Sequence, residues 1–153
     1  MSRRDQIRMS DDEVQAFLAE RHTMDVATIG ADGRPHLVAM WYGFFPDGQL
    51  GFWTYGRSQK IVNLRRDPRM TCLVEAGETY AELRGVELVC DGTVIDDREL
   101  VMEIGASVFD RYTGPYTPDA RPALEQVGAK RAAVRLEVLE VVSWDHRKLG
   151  GTY

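Results

Sequence analysis

No stretch of this sequence approaches the ~20 consecutive apolar residues that a membrane-spanning helix requires. Its opening, MSRRDQIRMSDDE, lacks the apolar centre of a secretory leader. A cytoplasmic protein with no membrane partner is predicted. Cysteine is scarce: Cys72 and Cys90 stand far apart, each inside an apolar, β-branched run, which predicts reduced core thiols rather than a disulfide or a redox pair. The three histidines, His22, His36 and His146, have no second His or Cys at ligand spacing, so no metal site is expected. The phosphate-cradling patterns G-x-G-x-x-G and G-x-x-x-x-G-K-[ST] are absent, as is the nucleophile elbow G-x-S-x-G. Ser143, Asp145 and His146 occur together, but adjacency in sequence is not the spatial relation a triad needs. No catalytic constellation emerges.

What is present is the profile of a single domain spanning residues 1–153, with 44% hydrophobic and 28% charged residues. A chain this long buries roughly 70% of its unfolded surface and needs no disulfide or metal to fold. The formal charge of −5 argues against general nucleic-acid binding. That mean hides an asymmetry. From Arg57 to Arg69 the chain reads RSQKIVNLRRDPR, a net +4 that leaves −9 for all other residues.

The pattern of elements is mainly β. Ser10 and Glu13 form a capping-box pair opening a helix to about His22. Met24–Gly30, His36–Phe45 and Leu50–Tyr55 read as strands joined by Asp-Gly turns, an antiparallel meander. The basic window follows as a short helix with Ile61 and Leu64 on one face, Ser58 placed to cap it and Pro68 to stop it. Met70–Glu75 and Leu83–Ile95 read as further strands, the latter long enough to bend at Gly85 or Gly92. A helix from Asp97 to about Tyr112, a short one over Ala120–Lys130 and an alternating sixth strand over Arg131–Trp144 complete the chain. In that last strand Val134, Leu136, Val138 and Glu140 share one face, while Arg135, Glu137, Leu139 and Val141 share the other. Both faces are partly apolar, which hints at packing against a second subunit. Six strands without a βαβ rhythm predict an antiparallel barrel with peripheral helices.

The basic window carries the chemistry. A helix N-terminus offers unpaired N–H groups and partial positive charge, and Arg57, Ser58, Gln59 and Lys60 all fall at this one, which predicts a phosphate site. Beside it lie Trp41, Tyr42, Phe52, Trp53 and Tyr55, with Phe52 and Trp53 on opposite faces of their strand. An aromatic shelf next to an anion site suits a flat, phosphate-bearing cofactor.

The order of strand, Gly33-Arg34-Pro35-His36, strand ending Met40-Trp41-Tyr42, strand, and then Lys60-x-x-Asn63-Leu64-Arg65-Arg66-Asp67-Pro68-Arg69 resembles the flavin and deazaflavin oxidoreductases of the pyridoxamine-phosphate-oxidase-like superfamily. With RYTGPYT (Arg111–Thr117) and SWDHRKLG (Ser143–Gly150), it is most similar to the group that uses the deazaflavin coenzyme F420. The resemblance implies an α+β, six-stranded antiparallel split barrel, FMN-binding-protein-like, and a homodimer with the cofactor groove at the subunit interface. It further implies that Arg57, Ser58, Gln59 and Lys60 hold the phosphate end, that the ring lies near Val38, Met40 and Thr54, and that Arg65 or Arg66 meets the glutamate tail. The reaction implied is hydride transfer from reduced F420 to an unsaturated small-molecule substrate, the protein supplying position and electrostatics. The proton would come from solvent or from His146, Lys148 or Tyr153. FMN remains the alternative cofactor, and a non-catalytic binder of the coenzyme or of a tetrapyrrole the alternative function.

Overall fold

The computed structural model describes residues 2–151. Two short helices, α1 (Arg3–Ile7) and α2 (Asp11–Ala19), precede the strands. The predicted capping box of α2 is present: the Glu13 amide donates to the Ser10 hydroxyl while the Glu13 carboxylate accepts from the Ser10 amide. The same device, made by Ser2 and Asp5, starts α1, a helix the sequence reading left out. Strands β1 (Met24–Ile29), β2 (Pro35–Met40), β3 (Gly43–Phe44) and β4 (Leu50–Tyr55) follow, then α3 (Gln59–Arg66), β5 (Arg69–Ala76), β6 (Arg84–Ile95), α4 (Arg98–Tyr112), α5 (Arg121–Gly128) and β7 (Arg131–Asp145).

There are seven strands, not six, in one antiparallel sheet of order β2-β1-β5-β6-β7-β4-β3. The extra strand arises because the predicted His36–Phe45 segment changes partner midway. Its first part pairs with β1, and Gly43–Phe44 pairs with β4. Only Trp41 and Tyr42 separate β2 from β3, yet those strands stand at opposite ends of the strand order. The sheet must therefore curl until its edges approach, because two residues span at most about 10 Å.

The interior of the curl holds Met24, Val26, Phe52, Cys72, Val74, Val86, Leu88, Cys90, Val134 and Leu136, with Phe17 and Leu18 from α2 and Ile61 and Leu64 from α3. A second apolar cluster lies outside the wall, where Phe45, Trp53 and Ala133 meet Val101, Ile104 and Val108 of α4 and Leu124 of α5. The predicted division of β4 holds: Phe52 belongs to the inner cluster and Trp53 to the outer one. Each fully buried side chain of this size contributes on the order of 2–3 kcal/mol.

Two details depart from the sequence pattern. The irregularity of the long β6–β7 pairing falls at Val89/Cys90, which face Glu140 and Val138 and leave Leu139 as the extra residue. The bulge reverses the alternation, so Val141 rather than Glu140 shares the inner row with Leu88. The ladder passes Gly85 without a register shift. A side chain there would collide with the Trp144 ring on the neighbouring strand, where the two residues are paired.

Candidate functional site

The turn after β4 delivers the predicted phosphate residues to the N-terminus of α3. Ser58 occupies the capping position, its carbonyl accepting from the Ile61 and Val62 amides. Its hydroxyl, however, does not cap the helix, and its Oγ is buried with no hydrogen-bond partner among the described residues. By helix geometry the amides of Gln59 and Lys60 also lack intrahelical acceptors. Lys60 is the more unusual residue. It is only 8% exposed, and its Nζ donates to the Thr54 hydroxyl at 3.1 Å with no carboxylate beside it among the described residues. Burial, and secondarily the charge of Arg131, pushes the Lys60 ammonium below the ordinary lysine range. A buried cation without a counter-ion costs stability unless an anion joins it.

The other predicted residues separate into those near this point and those occupied elsewhere. Thr54 is buried and joined to Lys60; Val38 and Met40 are partly buried on β2, opposite Val26 and Met24, and pack against the inner core. The Gln59 side chain turns along the helix and donates to Asn63 Oδ1 at 2.8 Å; buried Asn63 in turn donates to Thr28, tying α3 to β1. Arg57 is exposed and has no polar partner among the described residues. Arg65 instead forms a two-oxygen ion pair with Asp96, at 2.8 and 3.0 Å. Arg66 donates to the Ile29 carbonyl and to Asn63. Asp97 caps α4, its side chain accepting from the Leu100 amide at 3.0 Å.

The tail groups lie in local bonds as well. His146 Nδ1 is 2.8 Å from the Tyr80 carbonyl, and Lys148 reaches the Arg8 carbonyl and Glu13. Asp145 binds Arg147, and Ser143 accepts from the Met9 amide, so the three residues of the apparent triad are dispersed into separate contacts. Tyr153 lies outside the described residues.

Sequence reasoning missed Arg131. It opens β7 directly opposite Tyr55 and holds its guanidinium 4.7 Å from the centre of the Trp53 ring. Its side chain makes no hydrogen bond or ion pair among the described residues, and burial lowers its pKa. The signal available was positional only, a basic residue at the start of a strand whose next three residues are apolar. Arg131 stands between two cavities. One, of about 520 Å³, is polar and bordered by Arg57, Asp96, Arg98 and Lys130. The other, of about 550 Å³, is walled by Met40, Trp41, Trp53, Phe109, Leu124 and Val127. Trp53 can seat there because Gly105 faces it: a Cβ on Gly105 would lie 2.6 Å from the ring.

The predicted aromatic shelf is thus divided. Trp41 is half exposed and stacked on Tyr112 at 4.8 Å and 3°. Tyr42 is fully buried; its hydroxyl donates to the Leu18 carbonyl at 2.7 Å, and burial raises its pKa to about 12. Arg111 fixes this corner, donating to carbonyls of Tyr42, Ala19, Leu18 and Glu20. Among the described residues no group of three or more His, Cys, Asp or Glu is placed to hold a metal, and no helix is long and apolar enough to cross a membrane.

Comparison with known proteins gives a consistent picture. An F420H(2)-dependent biliverdin reductase of Mycobacterium tuberculosis (strain CDC 1551 / Oshkosh) is 31% identical over 134 residues, covering 87% of this chain and 93% of that protein. The conserved hypothetical protein Rv2991 of M. tuberculosis, a solved structure, is similar at 44% identity and a TM-score of 0.94, over 100% of this chain and 95% of that one. HutZ, the heme storage protein of Vibrio cholerae, shares the fold at 19% identity and a TM-score of 0.66, over 87% of this chain and 94% of that one. Residues 10–145, from the cap of α2 to the last residue of β7, match the family described as pyridoxamine 5'-phosphate oxidase. Because that match includes every strand of the sheet, the chain belongs to the pyridoxamine 5'-phosphate oxidase family.

Proposed function

We propose that this protein is a coenzyme F420-dependent reductase acting on an unsaturated small organic molecule. The observation that carries the reading is that the start of α3 holds a buried Lys60 with no counter-ion and a buried Ser58 hydroxyl with no partner among the described residues. These groups suit a phosphate, which would accept from Lys60, Ser58 and the free amides and compensate the buried charge. The relative that uses F420H(2) on biliverdin supports the choice of the deazaflavin.

The reduced coenzyme, when bound, supplies the hydride. The chain's own residues bind and orient. Lys60 and Ser58 anchor the anionic end, Arg57 adds a mobile positive charge at the rim, and Val38, Met40 and Thr54 form the surface for the ring. Thr54 has a second duty, holding the Lys60 ammonium in place. Since Arg65 is committed to Asp96, the glutamate tail falls to Arg57 and Lys130 instead. Water delivers the proton.

The dimer belongs to this reading. Register places Leu37, Ala27, Thr71 and Val89 in one row across four strands on the outer face, away from the α4–α5 cluster. Leu37 is 67% exposed and Leu139 63%. Such a face is suited to a second copy of the chain.

Titration of the purified protein with F420 and with FMN, followed by absorbance and fluorescence, tests the proposal. Micromolar or tighter F420 affinity with weaker FMN affinity is expected. Binding of neither would refute it, and preference for FMN would replace the deazaflavin reading with a flavin one. Sedimentation velocity tests the dimer: a stable monomer that still binds coenzyme tightly removes the shared groove.

A further inference from the structure

Two cavities meet at Arg131, and their linings differ in kind. The polar one lies beside the α3 start and carries Arg57, Arg98 and Lys130. The apolar one lies under α4 and α5 and, among the described residues, has Arg131 as its only charged lining residue. Its walls come from opposite sides: Met40 and Trp41 end β2, Trp53 projects outward from β4, and Phe109, Leu124 and Val127 descend from the helices. The volume, about 550 Å³, is that of a small-molecule pocket. Thr54 faces the Lys60 side of β4, whereas Trp53, its neighbour, faces this cavity. Met40, one of the residues proposed to meet the ring, also lines this cavity, so a ligand held here would abut the ring although the phosphate anchor lies on the other face of β4.

Arg131 is kept partly out of water at the edge of an otherwise apolar pocket, without an acid or hydrogen-bond partner among the described residues, and such a cation gains from an anion. The Trp53 ring beneath it limits its motion and offers a flat surface.

We infer that the α4–α5 cavity is the substrate site, and that its ligands are flat, largely apolar molecules bearing a carboxylate or similar anion that pairs with Arg131. This inference rests on the reductase reading for calling the ligand a substrate, while the binding preference itself does not depend on the coenzyme. Trp41 and Trp53 supply the apolar contact, and Arg131 selects the anionic end. Neutral analogues of the same shape are discriminated against because the guanidinium would be covered without a partner.

Two fluorescent probes with one ring system separate shape from charge: 8-anilinonaphthalene-1-sulfonate and N-phenyl-1-naphthylamine, which lacks the sulfonate. The coenzyme-free protein should bind the sulfonate about tenfold or more tightly than the neutral probe. Arg131→Gln should remove that preference and leave the neutral probe unchanged, Arg131→Lys should retain most of it, and Val127→Trp, which narrows the cavity from an exposed position, should weaken both. Equal affinities in the unmodified protein, or a preference that survives Arg131→Gln, would overturn the inference. F420 titrations of the same proteins keep the two readings apart. Arg131→Gln should alter coenzyme affinity less than about threefold. If it loses coenzyme and sulfonate probe together, or if F420 displaces the probe from the unmodified protein, the cavity belongs to the coenzyme and this inference fails while the reductase reading stands. If F420 does not bind but the charge preference is found, the reductase reading fails and the anion-selective cavity remains.

Discussion

The two ends of α3 hold similar charges in opposite circumstances. At its start, Lys60 is buried against a single hydroxyl and Arg57 has no partner among the described residues. At its end, Arg65 is locked to Asp96, Arg66 to the Ile29 carbonyl, and beyond it Arg69 to Asp67. The last-turn cations are satisfied by the fold itself, and they also favour the negative end of the helix dipole. Lys60 in the first turn and Arg57 just before the cap oppose the positive end, with no acidic partner among the described residues. The cationic window is therefore divided: one cluster is satisfied by the fold, and one pair has no offsetting charge among the described residues, which is where the proposed anion would bind.

The sharpest way to break this comparison is Lys60→Ala. Coenzyme affinity should fall roughly ten- to a hundredfold, about 1.5–3 kcal/mol, as for a lost charged hydrogen bond; an unchanged affinity by fluorescence titration would put the phosphate elsewhere. A second test separates function from stability. Lys60→Met should raise the melting temperature of the ligand-free protein by about 2–4 °C, corresponding to about 1 kcal/mol, because it removes a buried unpaired cation. A fall in melting temperature would mean that the ammonium is already well satisfied.

The same residue gives a pH prediction. Its pKa is lower in the folded than in the unfolded chain, so between that lowered value and about 10.5 the unfolded state binds more protons, and stability rises with pH. Urea unfolding of the ligand-free protein should show this rise on the alkaline side, and Lys60→Met should flatten it. An anionic ligand should flatten it as well, by returning Lys60 toward its ordinary range. Arg57→Ala comes next, with an expected three- to tenfold loss of coenzyme affinity that shrinks as salt is added, since its charge is exposed. The smallest effect belongs to Arg65→Ala: coenzyme affinity within about twofold and stability lowered by less than about 1 kcal/mol in urea unfolding. A large affinity loss there would erase the distinction between the two ends of the helix.

Much of the scaffold was legible because its signals are local. The Ser10–Glu13 box, the helix start near Asp97 and the strand alternation of β4 each depend on residues within a few positions of one another. The split of His36–Phe45 into two strands was not visible, since the composition stays apolar through Met40-Trp41-Tyr42 while the hydrogen-bonding partner changes. The bulge at Leu139 also escaped notice: it depends on how β7 meets a strand some fifty residues earlier. At the candidate site, the concentration of positive charge was readable and its use was not. Asp96 lies 31 residues from Arg65, and no pattern announces that pair. Arg131 was overlooked for the converse reason. A single arginine at a strand start carries no motif, and its importance comes from the partner it lacks.

The placement of β2 and β3 at opposite ends of the sheet has a kinetic consequence. The β1–β2 and β3–β4 hairpins are local and form on the microsecond scale. The β4–β7 ladder, by contrast, pairs Gly51 with Arg135, closing a loop of 84 residues at an entropic cost of about 4 kcal/mol. Refolding should therefore wait for the arrival of β7, and mutations in that ladder should slow folding while those in the early hairpins mainly hasten unfolding. Until β7 docks, β4 lacks one neighbour and Trp53 has no Ala133 behind it. The wall shared by the two cavities is the last part of the molecule to be built.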